Sequence, residues 1–182
     1  PNPVSFETQD LGTADLGYVG EHPVILSALQ EFLETCPNIE WIRPAELVAV
    51  DYSENQAEIR IKKAEGEILI TSKLVIGADG AKSQIRNLAN IKTRGWKYWQ
   101  SCVAFTIEHQ APLNNVAFER FCETGPMGIL PLPGNRCQIV WTAPHSQAKT
   151  LAELDEKSFI IQLEKRLNGV LGSVQLLSLI HI

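Results

Sequence analysis

The residues best placed to do chemistry lie in one run, Leu74-Val75-Ile76-Gly77-Ala78-Asp79-Gly80-Ala81-Lys82-Ser83-Gln84-Ile85-Arg86. The apolar triplet Leu74–Ile76 reads as a strand buried on both faces. Gly77 and Gly80 permit a tight turn and let backbone come close to a ligand. Ser83–Asn90 reads as a short helix, whose first N–H groups lack intrahelical partners and carry partial positive charge. A strand, a glycine turn and a helix start together suit a polyanion at the strand's carboxyl end. Asp79 there offers a carboxylate to a ribose hydroxyl. Arg86, one turn on, could pair with Asp79 or with a phosphate. The plainer reading of the Asp-Gly pair alone is a turn that caps the helix, with Arg86 on the surface.

Other polar residues give weaker signals. Arg136 opens an apolar strand just after the turn Pro133-Gly134-Asn135, where it could act electrostatically or simply follow the turn. Phe118, Phe121 and Trp141 could line an apolar pocket, and as aromatics on alternating strands they equally suit a core. His109 and His145 are isolated, and Ser83 has no partner histidine to make it a nucleophile. The cysteines, Cys36, Cys102, Cys122 and Cys137, form no CxxC pair. That disfavours zinc and a disulfide framework, and points to free thiols in a reducing, cytoplasmic compartment.

The elements that must position these residues fall into two groups. Apolar residues at helical spacing from Val24 to Leu33 predict an amphipathic helix beginning near His22 and ending before Pro37. Short strands are expected near Tyr18 and over Ile39–Ile42. Leu47–Tyr52, Ala57–Ile61 and Ile68–Thr71 predict an antiparallel meander with one wet face. Beyond Gly95, β-prone runs at Tyr98–Glu108, Val116–Cys122, Ile129–Leu132 and Cys137–Thr142 predict a sheet. Leu154–Leu167 closes it as an amphipathic helix with acids at its start and bases at its end. The boundary is placed at Thr93–Trp96, giving parts 1–94 and 95–176.

The chain of 182 residues is long enough for a real core, and its net charge of −5 disfavours a nucleic-acid surface. Mean hydropathy is near zero, and no run approaches the roughly 20 apolar residues of a membrane span. The last six residues, Leu177-Ser178-Leu179-Ile180-His181-Ile182, match the translation of a transposase adaptor used in DNA library preparation. Residues 177–182 are therefore expected to be a non-native tail, and His181 is left out of any site. With Pro1-Asn2-Pro3 in place of an initiator methionine, both ends read as cut.

Taken whole, the run around Asp79 resembles the Asp-Gly signature of class A FAD-dependent aromatic hydroxylases. Ala117-Phe118-Glu119-Arg120-Phe121, Gly125-Pro126, Leu130-Pro131-Leu132 and Arg136–Trp141 resemble the ubiquinone-biosynthesis branch, the 2-polyprenylphenol and 2-polyprenyl-6-methoxyphenol hydroxylases. Leu16-Gly17-Tyr18 and Asp155–Phe159 fit the same branch, so the likeness covers nearly the whole chain. It implies an α+β / α/β fold, with a partial Rossmann-like FAD-binding domain of the glutathione-reductase type over 1–94. A β-sheet substrate domain with a helix would follow over 95–176, as in p-hydroxybenzoate hydroxylase-like flavoproteins.

By that resemblance Asp79 and Gly80 contact FAD and the incoming NAD(P)H, with Gly77, Ser83 and Arg86 in support. Glu21 and His22 stand where a flavin phosphate could be met. Arg136 would act beside flavin or substrate, and Phe118, Phe121 and Trp141 would hold a lipophilic phenol. Oxygen would reach the ring from a flavin peroxide. A lipophilic substrate implies contact with a membrane surface or a biosynthetic complex. Two further flavin-binding elements of the family, GxGxxG and a Gly-Asp pair, do not occur in these residues. The chain is therefore expected to be an internal fragment, inactive and weak in FAD binding by itself. A halogenase or epoxidase would share the Asp-Gly signature. A flavin-independent α+β module for an apolar small molecule is the reading from another class.

Overall fold

The computed structural model describes residues 3–112 and 115–181. The chain divides into two compact units, Phe32–Trp96 and Pro1–Glu31 with Lys97–Ile182. The elements run α1 (Thr8–Leu11), α2 (His22–Glu34), β1 (Glu46–Tyr52), β2 (Ala57–Lys63), β3 (Gly66–Ser72), α3 (Gln84–Leu88) and β4 (Gln100–His109). They continue with β5 (Phe118–Arg120), β6 (Met127–Leu132), β7 (Arg136–Pro144), α4 (His145–Ala152), α5 (Glu156–Leu167) and β8 (Val174–His181). None of the helices described is long and apolar enough to cross a membrane.

In the Phe32–Trp96 unit, β1, β2 and β3 form an antiparallel meander in sequence order. The alternation in β2 decides its faces: Ala57 and Ile61 are buried while Glu58, Arg60 and Lys62 are exposed. Ile61 lies across from Leu47 and Ile68, and Ile59 from Val50 and Ile70, so one apolar face runs over all three strands. Helix α3 is tied to β1 by Gln84 Nε2, which donates to the Leu47 carbonyl at 2.9 Å.

In the other unit the sheet order is β5-β6-β7-β4-β8, with every pairing antiparallel. Odd-numbered residues of β4, β6 and β7 face the core: Val103, Phe105, Ile107, Met127, Ile129, Cys137, Ile139 and Trp141 are all buried. Helix α5 covers that face with Phe159, Leu163 and Leu167, each at most 1% exposed. Phe159 meets Phe105 edge-on, with ring centroids 4.9 Å apart. Burial of each of these side chains contributes about 1.5–3 kcal/mol. The helix is fixed at its start by Asp155, which accepts from Ser158 N at 3.0 Å, and closed by Asn168 in a left-handed conformation.

Several expected elements differ. Leu74–Ile76 carries no strand, and Leu74 and Ile76 are exposed. An apolar run gives a strand only where neighbours supply the hydrogen bonds of a ladder, and here none of the described residues does so. The same holds for Ile39–Ile42 and the segment near Tyr18, which carry no strand. Helix α2 forms where its spacing predicts, yet its apolar stripe is exposed, with Val24 and Phe32 each 65% accessible.

Strand β5 is only three residues long. Helix α4 lies where no helix was expected, and Pro144 stands at its N-cap, where its missing N–H costs nothing. Within the expected non-native tail, Leu177–His181 belong to β8, which pairs with β4. The register shifts between Thr106 and Ile107, leaving Leu177 as the extra residue.

Candidate cofactor-binding site

The turn from Gly77 to Arg86 is organised around one carboxylate. Asp79 Oδ1 accepts from the Ser83 hydroxyl, while Oδ2 accepts from the backbone amides of Gln84 at 2.7 Å and Ile85 at 3.1 Å. Ser83 is the N-cap of α3, and its Oγ accepts from Arg86 N at 3.0 Å. Ser83 is buried, whereas Asp79 is exposed. The Ser83 hydroxyl, followed by the Ile85 and Gln84 amides, holds the Asp79 carboxyl below its ordinary 3.8. Asp79 is therefore an anion at neutral pH.

This arrangement decides what the turn can bind. The amides of Gln84, Ile85 and Arg86 are spent on Asp79 and Ser83. Arg86 does not pair with Asp79. Its Nη2 donates to the Ala81 carbonyl at 2.9 Å, across the turn. What remains is acceptor capacity. A carboxylate offers about four lone-pair positions, and three are used here, so one is left on an exposed anion for a hydroxyl donor.

The backbone fits such a guest. Gly80 has φ +80, a conformation that favours glycine, and nothing lies within 4 Å of where its Cβ would be. A Cβ on Gly77 would meet Ile85 Cγ2 at 3.1 Å, so any larger residue there would push the Ile85 side chain aside by a few tenths of an ångström. All five residues singled out in the sequence thus belong to one turn, three as its hydrogen-bonding frame and two as its backbone.

The second set is more dispersed. Arg136 Nη2 pairs with Glu21 Oε1 at 2.9 Å, both half-buried, and its Nε donates to the Pro133 carbonyl at 3.0 Å. Glu21 also starts α2, accepting from Val24 N and Ile25 N. That partner lies 115 residues away, beyond the reach of any local motif. Trp141 is a core residue against Phe159, with the Arg166 guanidinium 5.4 Å from its ring centre. Phe118 lines a cavity of about 50 Å³ with His109, Ile129 and Cys137, and Phe121 is exposed. The three aromatics do not share one pocket.

A further polar pair belongs to no local motif. Thr106 on β4 and Gln138 on β7 are register partners on the sheet face away from α5. The Thr106 hydroxyl donates to Gln138 Oε1 at 3.0 Å. The period-two alternation of both strands marks this position.

A family model described as an FAD binding domain matches residues 23–177. This chain belongs to the FAD-binding domain family. Among its relatives, an uncharacterized protein of Synechocystis is 54% identical over 175 residues, 96% of this chain and 42% of that protein. The 3-demethoxyubiquinol 3-hydroxylase of Escherichia coli is 31% identical, over 94% of this chain and 43% of the enzyme. The mitochondrial ubiquinone biosynthesis monooxygenase COQ6 of Mus musculus is 37% identical, over 86% of this chain and 34% of the enzyme. The chain spans about two fifths of the length of the first two relatives.

Among solved structures, p-nitrophenol 4-monooxygenase PnpA of Pseudomonas putida superposes with a TM-score of 0.69 at 15% identity, covering 87% of this chain and 41% of that one. The flavin-dependent halogenase CmlS gives 0.60 at 14%, covering 75% and 27%. The family member therefore has the α+β fold with antiparallel sheets of p-hydroxybenzoate hydroxylase-like flavoproteins. A hydroxylase and a halogenase share that fold, so it does not choose between their reactions.

Proposed function

We propose that the chain is the portion of an FAD-dependent, NAD(P)H-using monooxygenase that carries the Asp-Gly turn and the substrate sheet, acting on a lipophilic phenol in quinone biosynthesis. The observation that carries this is the family match over residues 23–177, joined to the exposed Asp79 carboxylate with one acceptor position left. Relatives named as ubiquinone hydroxylases favour the quinone branch over a halogenase. In this reading, residues 1–94 belong with the flavin and residues 95–176 with the phenol.

Bound FAD would supply the oxygen-activating chemistry, and the protein contributes binding, orientation and electrostatics. Asp79 would hold a hydroxyl of the cofactor, fixed in aim by Ser83 and the α3 amides. Gly80 would leave room for close approach, while Gly77 and Arg86 keep the turn closed. Arg136 would place positive charge near the reacting ring, with Glu21 setting its orientation. A lipophilic substrate implies that the working enzyme meets a membrane surface or a partner that delivers the substrate.

The test is to express the complete reading frame that encodes these residues. The purified protein is expected to be yellow and to oxidise NAD(P)H with O2 only when a polyprenylphenol is present. A colourless protein, or NAD(P)H oxidation indifferent to the phenol with no hydroxylated product, would overturn the proposal.

A further inference from the structure

The two faces of the five-stranded sheet differ in kind. The face under α5 is a closed apolar core, whereas the opposite face presents half-buried Gly128 and Leu130 from β6, Gln138 and Val140 from β7 and Thr106 from β4, with Ala104 of β4 buried among them. Register sorts these six into two rows. Gly128, Val140 and Ala104 form an apolar row, bounded at the Gly128 end by Glu119, whose Oε2 stands 3.2 Å from the position of a Gly128 Cβ, and Leu130, Gln138 and Thr106 form the next one. Rows on one face lie two residues apart, about 6.8 Å along the strands. A benzene ring resting on the first row would therefore bring a ring substituent to the second.

The polar pair in that second row is already oriented. Because the Thr106 hydroxyl donates to Gln138 Oε1, the Gln138 amide is held with Nε2 on its other side. Among the described residues Nε2 has no hydrogen-bond partner, and no group donates to Thr106 Oγ1. Two N–H donors and an oxygen acceptor thus stand side by side next to an apolar row. A neutral hydroxyl complements both, since its oxygen accepts from Nε2 and its proton goes to Oγ1.

We infer that Thr106 and Gln138 are the residues that recognise the phenolic hydroxyl of the substrate, with its ring on the Gly128–Val140–Ala104 row. This rests on the hydroxylase reading and adds to it the contacts that fix the ring. Thr106 and Gln138 bind and position; no proton is removed from the ring by either.

The experiment measures, by titration calorimetry, the affinity of the purified protein for 4-propylphenol and for 4-propylanisole, which keeps the ring but has lost the hydroxyl proton. The phenol is expected to bind more tightly than the anisole. Thr106→Val should weaken the phenol about fivefold, the size of one neutral hydrogen bond, and leave the anisole unchanged. Gln138→Leu should weaken the phenol by a similar factor and the anisole too, whose oxygen also accepts from Nε2. Thr106→Ser should retain the preference, which separates the hydroxyl's role from a packing defect. Equal binding of the two probes, no binding of the phenol, or variants that hold the phenol as tightly as the parent would each overturn the inference. FAD content of the full reading frame is measured separately: flavin without phenol preference removes this inference and keeps the proposed function, and phenol preference without flavin does the reverse.

Discussion

The turn around Asp79 and the sheet around Arg136 solve the same problem, fixing a charged side chain, at opposite ranges. Every partner of Asp79 lies within six residues of it, in Ser83, Gln84 and Ile85. Arg136 is held by Glu21, 115 residues away, and the carboxylate exists as a partner only once the chain has folded. The turn is a local device assembled on an exposed segment, while the sheet is a cooperative one, resting on the core under α5. The two should therefore respond to different perturbations.

The largest effect is expected in the sheet. Phe159→Ala removes the ring that packs edge-on against Phe105 and beside Trp141, and is expected to cost about 3–5 kcal/mol. Urea unfolding followed by hydrogen exchange at the β4 and β7 amides measures it. A loss below about 1 kcal/mol would mean that α5 does not clamp the sheet, and that the contrast between local and cooperative devices is misplaced.

Asp79→Ala comes next. It deletes three accepted hydrogen bonds and orphans the Gln84 and Ile85 amides, so a five-residue helix loses what starts it. Amide exchange at residues 84–88 should rise to that of an open loop while exchange in β4 is unchanged. In the full reading frame the same variant should lose FAD, and Asp79→Asn, which still accepts, should retain more. Unchanged exchange at Gln84 and Ile85 would show that the turn is not built on this carboxylate.

These comparisons also show what the sequence made legible. Gly77, Asp79, Gly80, Ser83 and Arg86 could be read as one unit because the interactions that join them span at most eight residues. The meander and most of the sheet were legible because alternation in β2, β4 and β7 reports which face is buried. Arg136's partner and the Thr106–Gln138 pair were not, since each needs a register that only long-range pairing sets. Leu74–Ile76 misled for the same reason: its apolarity says that it seeks neighbours but not whether they are present. The exposed stripe of α2 repeats that lesson in a helix.

A pH series sharpens the comparison further, because the same pairing recurs in both units. Asp79 with Ser83, and Asp155 with Ser158, are both held below their ordinary 3.8 by a serine hydroxyl and backbone amides. A carboxylate with a depressed folded pKa stabilises fully above its unfolded value. That contribution disappears as pH falls through the folded value. Protection at the start of α3 should accordingly be flat from neutral pH down to about 4 and collapse below it. At α5 the same titration should produce a smaller response, because Phe159, Leu163 and Leu167 anchor that helix independently. Equal collapse at both helices would argue that burial contributes little to α5. Asp79→Asn should abolish the α3 response, which checks that this group and no other is titrating.

The smallest expected effect belongs to the Arg136–Glu21 pair, and it separates two roles for the arginine. Both side chains are about one third exposed, at 35% and 36%, so solvent screens the pair and a double-mutant cycle should give only about 0.5–1 kcal/mol of coupling. Arg136→Gln and Glu21→Gln should destabilise alike if the pair is only a tether between β7 and the start of α2. If Arg136 also sets charge beside the reacting ring, the two variants must diverge in the full reading frame. Arg136→Gln would then lower kcat, while Glu21→Gln, which leaves the guanidinium in place but loosely aimed, would lower it less. Equal kcat for both variants would reduce Arg136 to a structural contact, and the positive charge near the ring would have to come from elsewhere in the protein.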